Sequence, residues 1–332
     1  MSVFIKNIAY YLPPQVLTNK ALAQEFPEWS VEKIMAKVGI NQRHIAAPNE
    51  TATDMAISAA QKLFDAGVDK QTIDYVLLCT QSPDYFLPTS ACIIQDKLGL
   101  SKDVGALDFN QGCSGYIYGL SLAKGLICAH IAENVLLLTS ETYTKHLHPK
   151  DKGNRTIFGD AASATLVSTE GFAEIGEFSL GTDGSGAENL ILQTGAARYP
   201  EKSDEVRFDK DNNPLSPDCI YMNGSEIFAF TLEAVPALVN KTLEKNRIEK
   251  ETVDLFVFHQ ANKYMLDFLR KKLKIEPEKF YIYLSDTGNT VSSTIPIAIY
   301  EAMESGSLKK GMKSLLAGFG VGYSWGGVVL KF

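Results

Sequence analysis

Short apolar runs alternate along the chain with stretches whose apolar residues recur every three or four positions. YVLLCT, GALDFN and NVLLLTSE read as strands, whereas TSACIIQDKLGL and CSGYIYGLSLAKGLICAH read as helices. In the second of these helices Tyr116, Leu120, Ala123 and Ile127 fall on one face. Such alternation predicts an α/β fold.

The pattern also repeats. KQTIDYVLLCTQS (Lys70 to Ser82) matches KETVDLFVFHQAN (Lys250 to Asn262), aligning Lys70 with Lys250, Thr72 with Thr252 and Asp74 with Asp254. Further matches follow in the same order: DKLGL with KKLKI, Gly112–Ser114 with Gly288–Thr290, ENVLLLTSE with MKSLLAGFG, and FGDAASATLVS with GVGYSWGGVVLKF. Ordered matches of this kind predict two pseudo-duplicated halves, residues 1–172 and 173–332, whose equivalent strand and helix ends meet in one central crevice. The polar, Pro-containing stretch Arg198 to Asp218 has no counterpart in the repeat and reads as an inserted surface loop or flap.

Composition narrows the function. A net charge of -7 and an acidic isoelectric point argue against nucleic acid as partner. The five cysteines are odd in number and widely spaced, and neither CxxC nor HExxH occurs, so no disulfide framework, metal or other cofactor is expected. The apolar run near the N-terminus is short and interrupted by Lys6, which predicts no membrane span and a cytoplasmic protein.

The chemistry centres on Cys113. It lies where the strand GALDFN gives way to helical spacing, between Gly112 and the small residues Ser114 and Gly115. At such a turn the first helical amides are expected to stabilise a thiolate and to donate to an oxyanion, and the small neighbours admit a substrate. Cys79, Cys92, Cys128 and Cys219 read as small apolar fillers. His259 ends the strand DLFVF, and the repeat aims it at the crevice of Cys113, although a histidine at a strand end is commonly structural. Asn289, in a Gly-containing turn before a helix, fits either a helix cap or a catalytic amide. The glycine-dense GFGVGYSWGG lacks the Lys-Ser/Thr of a phosphate loop, and its amides can instead face a thioester oxygen. A cysteine protease uses similar residue types, but a caspase-type histidine would lie about 50 residues before the cysteine and a papain-type cysteine in a CGSCW-like setting. Neither context is present.

GINQRHIAAPNET, DFNQGCSGYIYGLSLA, TIFGDAASATLV, FHQAN, GNTVSSTIPIA and GFGVGYSWG together make the chain resemble β-ketoacyl-acyl carrier protein synthase III, of the thiolase superfamily, over nearly its whole length. The resemblance implies a five-layered αβαβα fold and a homodimer. It implies an acyl group carried on Cys113, decarboxylation of malonyl-acyl carrier protein supported by His259 and Asn289, and an oxyanion hole from the amides of Cys113 and Val321. The partners it implies are an acyl carrier protein and an acyl thioester donor, either acyl-coenzyme A or acyl-acyl carrier protein.

Through the same resemblance Lys33, Lys37, Leu87, Lys152, Phe319 and Gly320 are expected to bind substrate. Lys33 and Lys152 stand where the family carries a Trp and an Arg around the coenzyme A adenine, so stacking is expected to be lost and a carrier-protein donor favoured. Leu87 of a partner subunit would close the acyl pocket, and Val321 replaces a glycine of the family's loop. Lys263, Arg270, Lys271 and Lys272 would dock an acidic carrier protein, with Tyr264 in place of an Arg. The alternatives keep the fold: a thiolase-fold acyltransferase that forms no carbon-carbon bond, a condensing enzyme of a specialised secondary-metabolite or surface-glycan pathway instead of fatty-acid synthesis, or a non-catalytic partner subunit.

Overall fold

Each half of the chain builds the same sheet. In the computed structural model, which describes residues 1–209 and 212–332, the N-terminal strands lie in the order Gly105–Phe109, Tyr75–Cys79, Asn134–Glu141, Ala161–Ser168, Phe4–Tyr11. The first three are parallel, and the last two join by antiparallel pairing. The C-terminal strands repeat both order and directions: Phe280–Tyr281, Leu255–Phe258, Lys313–Gly320, Ser324–Lys331, Ser179–Thr182. A short strand, Ala173–Ile175, pairs with both Phe4–Tyr11 and Ser324–Lys331 and makes one continuous path of the two sheets.

Helices Gly115–Cys128 and Thr294–Glu304 touch strands of both sheets and form the middle layer. Ala52–Asp65 and Ser90–Leu98 cover the N-terminal sheet, and Gly224–Asn246 covers the C-terminal one. The result is the expected αβαβα stack. Strand Leu255–Phe258 is buried throughout, and Asn134–Glu141 after its first residue, as expected of strands covered on both faces.

The structure explains why three residues persist in the repeat. Lys70 Nζ donates to the Leu98 carbonyl at 3.0 Å, and Lys250 Nζ to the equivalent Leu273 carbonyl at 3.1 Å, so each lysine satisfies an end of its neighbouring helix. Thr72 and Thr252 donate to the Asp69 and Glu249 carbonyls and close matching turns. Asp74 accepts from the amides of Glu133 and Asn134, and Asp254 from that of Lys313, fixing where the third strand of each half begins.

Most of the expected loop Arg198–Asp218 is exposed, with a small hairpin, Arg207–Phe208 against Pro214–Leu215. Asp218 ties its base by accepting from Thr194 Oγ1 and the amides of Ser203 and Asp204. Residues 210 and 211 of this loop lie outside the described residues.

Candidate active site

Cys113 lies between strand Gly105–Phe109 and helix Gly115–Cys128, as the pattern predicts. The C-terminal half reaches it through strand Lys313–Gly320. A Cβ on Gly318 would lie 2.9 Å from Ser114 Cα, and one on Gly320 only 2.8 Å from Cys113 Sγ, so backbone alone fits against the thiol. The amides of Val321 and of Cys113 itself donate to the sulfur.

The same strand holds the histidine in place. His259 N–H donates to the Ala317 carbonyl at 2.8 Å, and the His259 ring meets Phe319 edge to face at 5.8 Å between centroids. His259 Nδ1 lies 2.7 Å from Thr294 Oγ1, whose hydroxyl hydrogen goes to the Val291 carbonyl at 3.1 Å. Nδ1 therefore carries the ring proton, and Nε2 presents a lone pair.

Asn289 enters from the turn before helix Thr294–Glu304. Its amide donates to the Ile157 carbonyl at 2.9 Å, and its carbonyl accepts from Gly159 at 3.0 Å. Its Oδ1 accepts from Val291 N–H at 2.9 Å, and its Nδ2 has no partner among the described residues. The helix begins five residues later, so Asn289 is not its cap. Gly288, at φ +72°, makes the turn, and the β-branched Val291 takes φ +55°. A left-handed β-branched residue costs on the order of 1–3 kcal/mol. Here that conformation accompanies the hydrogen bonds that set both Asn289 and, through Thr294, His259.

The protonation states differ from the expected thiolate. Burial pushes the Cys113 thiol up to about 12 against the opposing pull of the two amides. Burial likewise brings His259 down to about 3, partly offset by the Val291 carbonyl. Near neutral pH the pair rests as thiol and imidazole, because the water-poor site penalises either charge.

Glu141 is a buried group that sequence reasoning missed; the single acid ending the apolar run NVLLLTSE was its only signal. Its carboxyl accepts from Gln81 N–H, Ser82 Oγ and Ser292 Oγ, joining the strand end after Cys79 to the turn after Asn289. Burial nonetheless raises it to about 8 from 4.5. Within that window the folded protein holds a proton that the unfolded chain releases, so this term loses stability as pH rises. Glu141→Gln should remove it. Between pH 6 and pH 8 the stability of wild type relative to this variant should fall by about 2 kcal/mol, at up to ~1.4 kcal/mol per pH unit for one proton. Urea midpoints of both proteins across that range test this, and parallel curves would refute it.

Two cavities adjoin these residues. One, of 850 Å³, is lined by Gln81, Tyr143 and Val321 beside the thiol and extends to Leu87 and Leu190–Leu192. The other, of 680 Å³, reaches from Trp29, Lys37 and Lys152 to Ile157, whose carbonyl holds Asn289, and Ile220 lines both. This corrects the expected absence of an aromatic at the mouth. Trp29 precedes helix Val31–Val38 and lines the cavity, with Lys37 Nζ 4.5 Å from its ring centroid. Lys33 lies at 5.6 Å from that ring, is not in the cavity lining, and donates to the Glu28 carbonyl. Lys152 pairs with Glu28 at 2.9 Å. On helix Lys263–Lys272, Lys271 and Lys272 are exposed, Lys263 pairs with Asp267, and Arg270 donates to the Ile275 carbonyl.

Two family models match: 3-oxoacyl-[acyl-carrier-protein] synthase III over residues 107–184, and its C-terminal counterpart over residues 243–332. The β-ketoacyl-[acyl-carrier-protein] synthase III of Clostridium perfringens (strain ATCC 13124) is 39% identical over 323 residues, 97% of this chain and 96% of that protein. The chain belongs to the 3-oxoacyl-acyl carrier protein synthase III family. It is therefore a condensing acyltransferase of the thiolase fold. A crystal structure of a 3-oxoacyl-(acyl-carrier-protein) synthase III superposes with TM-score 0.97 at 51% identity, covering 100% of both chains. The 3-oxoacyl-(acyl-carrier protein) synthase of Burkholderia xenovorans LB400 gives TM-score 0.91 at 34% identity, covering 99% of this chain and 94% of that one.

Proposed function

We propose that this synthase III family member loads an acyl group onto Cys113 and extends it with malonyl-acyl carrier protein. The observation that carries the reading is the convergence of two amide donors on Sγ, while the imidazole and the Asn289 amide each have one end fixed and the other free. In the first step Sγ attacks the donor thioester as His259 Nε2 takes its proton. The amides of Cys113 and Val321 hold the oxyanion, and the proton passes to the departing thiol. In the second step malonyl thioester loses carbon dioxide, and Asn289 Nδ2 donates to the enolate oxygen. The enolate carbon attacks the acyl-cysteine, expelling the Cys113 thiolate, which takes up a proton from solvent. His259 stabilises the enolate as a donor only when Nε2 holds a proton.

The cavity from Trp29 to Ile157 suits a phosphopantetheine arm, with Lys37 and Lys152 near its phosphate; Phe319 packs on the His259 ring and Gly320 leaves room for the thiol. Since Trp29 supplies an aromatic face, both coenzyme A and a carrier protein fit as donor. Lys271 and Lys272, flanked by Lys263 and Arg270, would receive an acidic carrier protein. A homodimer is part of the reading, because Gly105–Phe109 is an edge strand and the nearby loop exposes Tyr85 by 62%, Phe86 by 81% and Leu87 by 82%. In it Leu87 of the partner subunit would close the acyl cavity. The division near residue 172 and a cytoplasmic setting belong to the same proposal. Among the described residues no helix is long and apolar enough to cross a membrane.

Incubation with acyl thioesters followed by malonyl-acyl carrier protein is expected to give an acyl adduct on Cys113, then carbon dioxide and a β-ketoacyl product in equal amounts. Acylation with no β-ketoacyl product would leave an acyltransferase and refute condensation.

A further inference from the structure

The larger cavity has two unlike walls. Leu190, Ile191, Leu192 and Ile220 make one side apolar, as an alkyl chain requires. Other lining residues carry a chain of hydrogen bonds that begins at Tyr143. The Tyr143 hydroxyl donates to Gln81 Oε1, and Gln81 Nε2 donates to Asn110 Oδ1 at 2.9 Å. This chain engages the oxygen of Asn110, whose exposed Nδ2 has no partner among the described residues. His146 lines the same cavity, and its ring has no hydrogen-bond partner among the described residues. Burial, helped by Lys145 and Lys202, lowers its pKa and keeps it neutral near pH 7. A pocket meant for a plain alkyl group gains nothing from unpaired polar groups, because covering them without a partner costs free energy.

We propose that the acyl group this enzyme selects is a hydroxylated one, its hydroxyl bonded between His146 and Asn110 while its carbon chain lies against Leu190–Leu192. This rests on the acyl-enzyme reading above and names its substrate class. A hydroxyl suits the site because it donates to an imidazole nitrogen and accepts from an amide at once. A carboxylate does not, since neither neutral group supplies a countercharge. The transfer itself is unchanged: the Sγ–acyl bond forms, the donor carbon-sulfur bond breaks, and the thiol proton ends on the departing thiol.

The test is acylation of Cys113, followed by intact mass, with matched coenzyme A thioesters: butanoyl against 3-hydroxybutanoyl and hexanoyl against 3-hydroxyhexanoyl. Wild type is expected to favour the hydroxylated member of at least one pair by at least about tenfold in kcat/KM, because a site built to bond a hydroxyl rejects the analogue that lacks it. His146→Leu should bring that ratio to unity or below, and His146→Asn should keep most of it. Asn110→Leu, at a position exposed in the single chain, supplies the same comparison should His146→Leu not fold. Acylation with equal or better rates for both unsubstituted chains, or an unaltered ratio in the leucine variants, would overturn the substrate class alone. Failure of every donor to label Cys113 would overturn the acyl-enzyme reading and this inference with it.

Discussion

Replacing Cys113 by serine is expected to slow acyl-enzyme formation by ~10³-fold or more while leaving the fold in place. Serine is nearly the size of cysteine, and its hydroxyl can accept from the Val321 amide that now donates to Sγ. The stability change should stay within about 3 kcal/mol, the cost of burying a hydroxyl that is only partly compensated. The chemistry does not transfer. Burial already holds the thiol up to about 12 and His259 down to about 3, so proton transfer between them is uphill even for sulfur. An alcohol is a weaker acid, and an ester made from a thioester would be too stable to hand its acyl group onward easily. Time-resolved intact mass with an acyl thioester, beside thermal melting, checks both halves of the expectation. A serine variant that acylates at the wild-type rate would remove Cys113 from its proposed role.

The neutral resting pair also shows where local reading of the sequence stops. Gly112, Ser114 and Gly115 mark a strand-to-helix turn, and the repeat supplies His259 and the Gly288–Asn289–Thr290 turn as counterparts from the other half. These are short-range patterns, and the structure returns them. The pKa values were not legible, because they depend on how deeply two halves bury each other. The helix end that suggests a thiolate is present, yet burial outweighs it. Val291 is equally silent in the letters: a β-branched residue gives no sign of a left-handed backbone, and only the fitted turn around Asn289 requires it. Trp29 was passed over for a different reason. Counting positions along the motif puts Lys33 at the expected aromatic, but the helix starts only at Val31, and the indole just before it lines the cavity instead. Glu141 stood in plain view as an acid ending an apolar strand. Its three donors, from both halves, are visible only in the folded chain.

Asn289→Ala should separate the two half-reactions. Among the described residues the Asn289 side chain bonds to Val291 and not to the thiol, and the amides that donate to Sγ belong to Cys113 and Val321, so acylation should survive within about tenfold of wild type. Decarboxylation should fall by about 10²–10³, the effect of removing one preorganised donor from a developing oxyanion. Truncation also frees the Val291 N–H that Oδ1 now accepts, which would relax the left-handed turn and disturb His259 through Thr294. Asn289→Asp distinguishes the two causes. It keeps an oxygen for Val291 but replaces the free amide by a second acceptor, so it should lose decarboxylation as fully as alanine does. Carbon dioxide release from malonyl-acyl carrier protein, measured beside Cys113 acylation in both variants, decides the point. If the aspartate variant decarboxylates and the alanine variant does not, Asn289 acts by shaping the turn and the enolate donor must be sought elsewhere, with His259 Nε2 in its protonated form the next group in reach.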